Sequence, residues 1–301
     1  MNGILPLWKP RGMTSHDCVF KVRKILKTKK VGHTGTLDPE VTGVLPLCIG
    51  RGTKIAEYIM NGGKSYEGEV TIGRATTTED AWGETVSEKN VIDSFSRDQI
   101  LNTLHSFQGE ITQTPPMFSA VKVNGKRLYE YAREGKVIDR PSRKVIIHHI
   151  ELLDDREVFE GERISFKFRV SCSKGTYIRT LAVEIGEKLG YPAHMSQLCR
   201  VRSAAFEEKD CVTFEELEEL AGSGEVEKIL FPIETGISHL PKWNLSDTLA
   251  MKVKNGSVLE MPNDWPDDQV AMNHDGRTLA IYQAHPEKKG IIKPVKVLFN
   301  D

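Results

Sequence analysis

The chain has 301 residues, with 41 Lys and Arg against 42 Asp and Glu, a formal net charge of −1 and 39% hydrophobic residues. That length accommodates one large unit and a smaller one, and the composition excludes a disordered, collagen-like or disulfide-stapled chain. No apolar run approaches the roughly 18–20 residues that span a bilayer. The N-terminus MNGILPLWKPRGMTSHD lacks the basic start, apolar core and small-residue cleavage site of a signal peptide, so a cytoplasmic location without membrane contact is expected. Cys18, Cys48, Cys172, Cys199 and Cys211 form no Cys-x-x-Cys pair, which argues against a disulfide framework. The pair His148-His149 has no partner at ligand spacing, and no metal is expected.

SHDCVFKVRKILK (15–27) places Val19, Val22 and Leu26 on one side at helical spacing, with Ser15 as the candidate cap. The glycine-framed GHTGTLDPEVTG (32–43) follows, then GVLPLCIG (43–50), a short apolar strand interrupted by Pro46. GTKIAEYIM (52–60) reads as helix, KSYEGEVTIG (64–73) alternates as a strand, and SRDQILNTLHSF (96–107) is a second amphipathic helix. In QTPPMFSAVKVNGKRLYEYAREGK (113–136), a double proline and an Asn-Gly turn predict an extended excursion that returns by a basic, tyrosine-bearing segment. RISFKFRVSC (163–172) alternates as a strand, and SKGTYIRTLAVEIGEKLG (173–190) turns into a helix that stops at Gly190. Thr213 with Glu216 makes a capping box for another helix. Beyond about residue 240, SVLEM, QVAMN, TLAIYQA and VKVLF alternate with Asn-Gly, Asp-Gly and Lys-Gly turns. This predicts a small all-β module, with a boundary near 235–245.

The near-zero net charge hides a segregated distribution. KVRKILKTKK (21–30) holds six basic residues and no acid, and the span from Lys122 to Lys144 carries eight basic residues against three acids. Acids gather in ELLDDREVFEGE (151–162) and TFEELEEL (213–220). Such segregation suits a basic face turned to phosphates, although each run alone also reads as a solvated helix face.

Asp38 is the only acid among Gly32, Gly35 and the residues between them and Pro39. Pro39 biases it toward an extended backbone that would project the carboxylate off the loop. An ordinary Asp-Pro turn fits the same residues equally well on local chemistry. A phosphate cradle fits less, because the stretch lacks both the Gly-Lys-Ser/Thr ending of a P-loop and a dinucleotide fingerprint.

Three separated segments, GHTGTLDP with His33 and Asp38, KSYEGEV with Tyr66, and CSKGTYIRTLA with Tyr177 and Arg179, followed by HMSQLCRVRSAAF with Leu198, resemble the TruB family of tRNA pseudouridine-55 synthases in order and spacing. The resemblance runs from WKPRGMTSHD to GIIKPVKVLF, essentially the whole chain. It implies an α+β pseudouridine synthase fold, a mixed, largely antiparallel sheet with flanking helices, over residues 1–240 with a thumb insertion at about 113–145. Residues 241–301 would form a PUA-like RNA-binding domain. The implied activity is an isomerase acting on the T-loop uridine of tRNA without a cofactor, with a tRNA-folding activity beside it. Asp38 would be the catalytic carboxylate, Arg179 its partner, and Tyr66 the ring that stacks on the target base and assists proton transfer. Tyr177 and Leu198 would line the pocket, and His33 would meet a neighbouring base. Lys126, Arg127, Arg140 and Arg143 would grip phosphates. The implied partner is the T-arm of tRNA, bound by a monomer with no obligatory protein partner. Two rivals use the same scaffold. One is a non-catalytic RNA-binding or RNA-folding protein, against which the complete set of Asp38, Tyr66 and Arg179 counts. The other is the guide-RNA-dependent relative that carries an N-terminal extension.

Overall fold

A computed structural model describes residues 1–266 and 268–299. Asp267 and the last two residues of the expected 241–301 module lie outside it. The chain opens with β1 (Gly3–Lys9), α1 (Ser15–Ile25), β2 (Val31–His33), β3 (Thr42–Ile49), α2 (Ala56–Asn61) and β4 (Lys64–Ile72). Helices α3 (Arg97–His105), α4 (Leu128–Arg133), α5 (Ile178–Lys188) and α6 (Phe214–Ser223) follow.

A nine-stranded sheet forms the scaffold. Its order is β1, β3, the strand Ala193–Ser203, β4, then Ile164–Cys172, Arg143–Leu152 and Gly109–Gln113, with β2 and Phe206–Glu207 attached at its sides. Every pairing is antiparallel except that of Ala193–Ser203 with β3, where Cys199 meets Thr42 and Arg200 meets Gly43. The expected mixed, largely antiparallel sheet is therefore present. Its alternating faces bury Val70, Ile72, Phe166, Phe168 and Val170 against Leu181 and Ile185 of α5 in the main apolar cluster, the dominant source of stabilisation for such a sheet.

Pro46 does not interrupt β3. It lies opposite Pro6, whose carbonyl turns away to receive the Val212 amide at 3.1 Å, while the Pro46 carbonyl receives the Thr34 amide at 3.2 Å. Neither missing N–H falls on the ladder between β1 and β3, so both prolines are tolerated. A second correction concerns α1. Its cap is Thr14, which forms a reciprocal box with Asp17, and Ser15 is instead a buried residue of the first turn. The boxes at Ser96 with Gln99 and at Thr213 with Glu216 start α3 and α6.

The insertion leaves the sheet between two adjacent strands. Gln113 pairs with Arg143, and residues 114–142 depart and return at that point, their neck closed by Thr114 Oγ1 and Ser142 Oγ at 2.8 Å. Within it, Lys122–Val123 and Lys126–Arg127 pair around the left-handed Asn124-Gly125 turn, and α4 follows.

A separate five-stranded sheet comprises Lys242–Asn244, Leu259–Glu260, Val270–His274, Arg277–Ala284 and Ile291–Val297. The expected all-β texture is broken by one helix, α7 (Asp247–Lys254), which turns Ala250 and Val253 inward. The Asn255-Gly256 pair that reads as a hairpin turn ends this helix instead, with Gly256 at φ +67°. This sheet is docked on the first: Ala271, Ile281 and Leu298 share one apolar cluster with Ile4, Val44, Ile55 and Phe206. Among the described residues no helix is long and apolar enough to cross a membrane.

Candidate active site

The loop 34–41 between β2 and β3 is held from below. Lys9, fully buried, donates from Nζ to the carbonyls of Pro10 at 2.8 Å, Pro39 at 3.0 Å and Val41 at 2.8 Å. Ser15 accepts the Leu37 amide at 2.8 Å. Asp38 is thus bracketed by fixed backbone on both sides, while its own side chain remains 43% exposed. The glycine frame also has a steric cause at its end. Gly43 has φ +113°, and a Cβ there would collide with the Arg200 backbone on the parallel neighbour strand.

Arg179, in the first turn of α5, is 6% exposed and reaches Asp38 from Nε at 3.2 Å. Its remaining donors go to the Thr78 carbonyl at 2.9 Å and the Phe118 carbonyl at 2.8 Å, with the Asp80 carboxylate 3.9 Å from Nη1. One guanidinium therefore joins the aspartate loop, the 77–80 loop and the root of the 114–142 insertion, a multiple contact that suits its rigid fork of donors. Asp80 is not evident from the sequence, since nothing local distinguishes it from a turn residue. It accepts Thr78 Oγ1 at 2.6 Å and the Trp82 amide at 3.1 Å.

Tyr66 sits half-buried on β4, packed against the main core. Burial pushes its phenol up, the positive charge of nearby Arg200 opposes that shift, and the neighbouring Asp38 charge adds to it. Leu198 lies opposite Gly68, where a Cβ would come within 3.3 Å of Leu198 Cδ1. The missing side chain makes room for this leucine beside the site. Tyr177 immediately precedes α5. Its amide and carbonyl are both bound by buried Gln113, at 3.0 and 3.2 Å, and Arg143 lies 4.7 Å over its ring. His33 ends β2, with Nδ1 buried and unpaired among the described residues. Burial, with the neighbouring His16 and Arg200 adding to it, holds its pKa below the ordinary value, so it is a neutral ring near pH 7.

The four basic residues of the insertion differ in their engagement. Lys126 pairs with Glu134 and Arg127 bonds the Tyr129 hydroxyl at 2.9 Å, both at the exposed tip. Arg140 donates to the Pro115 carbonyl at 3.0 Å and Arg143 to the Gly175 carbonyl, both at the neck.

Asp38 and Arg179 are in direct contact, Tyr66 and Leu198 stand two register positions apart on the paired strands β4 and Ala193–Ser203, Tyr177 caps the helix that carries Arg179, and His33 ends β2 at the start of the aspartate loop. A solved Cbf5–Nop10–Gar1 complex is similar to this chain with a TM-score of 0.76 and 30% identity, covering 99% of this chain and 85% of that one. An archaeal box H/ACA sRNP Nop10–Cbf5 complex is similar with a TM-score of 0.74 and 26% identity, covering 99% and 87%. The class to which this fold belongs is that of the pseudouridine synthases. Residues 23–178 match the model of the TruB family pseudouridylate synthase N-terminal domain, and residues 179–238 match the tRNA pseudouridylate synthase B C-terminal domain. Proteins named tRNA pseudouridine synthase B from Bacillus pumilus and Geobacillus thermodenitrificans are 57% and 54% identical, over 100% and 99% of this chain and 99% of each relative. The chain belongs to the TruB family.

Proposed function

We propose that the chain is a tRNA pseudouridine synthase that isomerises the T-loop uridine at position 55, with Asp38 as the essential carboxylate. The observation that carries this reading is the contact at 3.2 Å between the half-exposed carboxylate of Asp38 and the buried guanidinium of Arg179, in a chain at least 54% identical over 99% of its length to proteins bearing that name.

The reaction breaks the bond from ribose C1′ to N1 of uracil, turns the base, joins C1′ to C5, and leaves a proton on N1 in place of the one lost from C5. Atoms and electrons balance within the substrate, so neither redox partner nor energy source is required. Attack on C1′, attack on C6 and a glycal route all use the same carboxylate. Asp38 supplies it, fixed by Lys9 and Ser15 behind it and held in orientation by Arg179. The target uridine must leave its folded loop to reach the site. Tyr66 then stacks on the base, with its hydroxyl at hand for proton transfer, while Tyr177 and Leu198 wall the pocket and His33 meets a neighbouring base. Stacking on aromatic and His side chains is how single-stranded RNA bases are usually held.

Residues 1–240 act as the catalytic unit, the insertion at 113–145 closes over the T-arm, and the module from 241 onward contacts a more distant part of the tRNA. The protein works as a monomer without an obligatory protein partner. Incubation of unmodified tRNA transcripts, followed by nucleotide-by-nucleotide mapping of pseudouridine, tests the assignment. Product at position 55 alone is expected, and a product elsewhere or none at all would overturn it.

A further inference from the structure

Arg11 and Trp82 meet across two loops that flank Asp38, with the Arg11 guanidinium carbon 5.8 Å from the centre of the indole. Each loop is tied to the carboxylate from its own side. The Gly12 amide donates to the Pro39 carbonyl at 2.9 Å, one residue beyond Asp38. The Trp82 amide donates to Asp80 Oδ1 at 3.1 Å, and the Asp80 carboxylate lies 3.9 Å from the Arg179 guanidinium that holds Asp38. These contacts close a ring around the aspartate. Trp82 is set in place by its own loop, where the Thr77 amide donates to the Glu84 carbonyl at 2.9 Å and a Cβ at Gly83 would fall 2.4 Å from Thr78 Oγ1. Yet the indole is 49% exposed, and Arg11 is exposed as well. Among the described residues Arg11 has no hydrogen bond or ion pair, and the indole N–H has no acceptor. Leaving so large a ring half in water forgoes the gain of burying it, and an aromatic face beside a guanidinium with free donors is the pairing that holds the bases and phosphates of single strands.

We propose that Trp82 and Arg11 form a rim subsite for the nucleotide next to the target uridine, Trp82 stacking on its base and Arg11 binding its phosphate. The inference rests on the reading of the chain as a tRNA pseudouridine synthase. A uridine that leaves its loop deprives the neighbouring base of a stacking partner, and that unstacking is part of the cost of extrusion. An indole at the edge of the site replaces the lost partner, at little ordering cost because its loop is already fixed. Every base has a π-face, so the gain does not depend on which base the neighbour carries. An RNA strand fits this place better than an acidic protein segment, because the pair stands on the loops that hold the catalytic carboxylate, where the strand on either side of the target has to pass.

A substitution cycle between protein and RNA separates this stack from a mere staple between the two loops. The probes are a T-arm hairpin and two versions of it, each with an abasic nucleotide on one side of the target. Trp82→Ala should weaken binding of the intact hairpin about 10-fold, and Trp82→Phe less than about threefold. One of the abasic hairpins should bind the parent about 10-fold more weakly than the intact one, yet lose less than about twofold in the Trp82→Ala background, because the ring that base would have met is gone. Arg11→Ala should flatten the slope of log Kd against log salt by about 0.7, the share of one phosphate on a single strand, and Arg11→Lys should restore it. If Trp82→Ala does not fold by circular dichroism, Trp82→Leu, which keeps apolar bulk without an aromatic face, carries the same cycle. Unchanged affinity in Trp82→Ala would overturn the proposal. So would abasic losses that are the same in parent and variant, which would leave the pair as a staple. Either result alongside pseudouridine formed at position 55 by the parent sinks this proposal alone, whereas a parent that binds the hairpin and forms no pseudouridine sinks the functional reading and the proposal with it.

Discussion

Ser15 Oγ accepts the amide of Leu37 at 2.8 Å and lies 3.3 Å from its carbonyl, so the first turn of α1 clasps the residue just before Asp38. Both atoms of the clasp are buried, and the cost of breaking it is that of an unsatisfied amide. Ser15→Ala should destabilise the fold by about 1–3 kcal/mol and slow turnover by loosening the loop, with tRNA affinity nearly unchanged. Chemical denaturation together with single-turnover rates measures both. An unaltered stability would mean that the Leu37 amide finds another partner.

Arg179 is expected to tolerate no replacement. Lysine keeps the charge but cannot reach Asp38, the Thr78 carbonyl and the Phe118 carbonyl together. Arg179→Lys should lower the single-turnover rate by roughly 100-fold while leaving the Kd for tRNA within about threefold. A loss confined to affinity would make Arg179 a binding residue rather than the support of the carboxylate.

These two residues illustrate what the sequence alone carried and what it did not. The helix that begins at residue 15, the alternating strands and the capping box at Thr213 all follow from local periodicity and neighbours within four positions. Ser15 reads as a cap because its long-range contact with Leu37 leaves no local mark. Arg200 is hidden for a related reason. Bulges between Met195 and Gln197 and between Arg200 and Arg202 break the two-residue alternation of its strand, so parity does not tell that this arginine faces inward. Lys9 looks like a solvent-facing lysine before a proline, and its three carbonyl contacts come from residues 10, 39 and 41. The site motifs were legible by resemblance, but the groups that hold them in place are set by packing between distant segments.

Stability should depend on pH through Glu184 of α5. Burial pushes its carboxyl up to about 7 from an ordinary 4.5, with Glu187 and Glu79 adding to the shift and a hydrogen bond from Gln113 opposing it. The folded chain holds a proton there that the unfolded chain releases. The stabilising contribution is therefore fully present below pH 4.5 and is lost as pH rises through about 7. Glu184→Gln mimics the protonated form at every pH. It should melt about 2 °C above the parent at pH 8 and level with it near pH 4.5, as read by calorimetry. A gap of the same size at both pH values would assign the effect to packing instead.

The basic residues of the insertion should divide into two kinds. Lys126 and Arg127 stand at the tip, whereas Arg140 and Arg143 are tied to carbonyls at the neck. Alanine at Lys126 and Arg127 should flatten the slope of log Kd against log salt, by roughly 0.7–0.9 for each phosphate contact removed. Arg143→Ala should instead release Tyr177, over whose ring it lies, and reduce the rate with little change in slope. Filter binding at several salt concentrations decides between them, and equal flattening by both sets would erase the distinction. Removing everything after residue 240 is a poor test of the second module, because it would strip Ile4, Val44 and Ile55 of the apolar partners Ala271, Ile281 and Leu298.

The central claim is that the carboxylate of Asp38 performs the isomerisation, and Asp38→Asn tests it most directly. The substitution keeps size and hydrogen-bonding capacity and removes only the charge. With saturating protein and an unmodified tRNA transcript, pseudouridine at position 55 should form with the parent and be undetectable with Asp38→Asn, while both bind the tRNA with similar Kd. Substantial product from the asparagine variant would contradict the account.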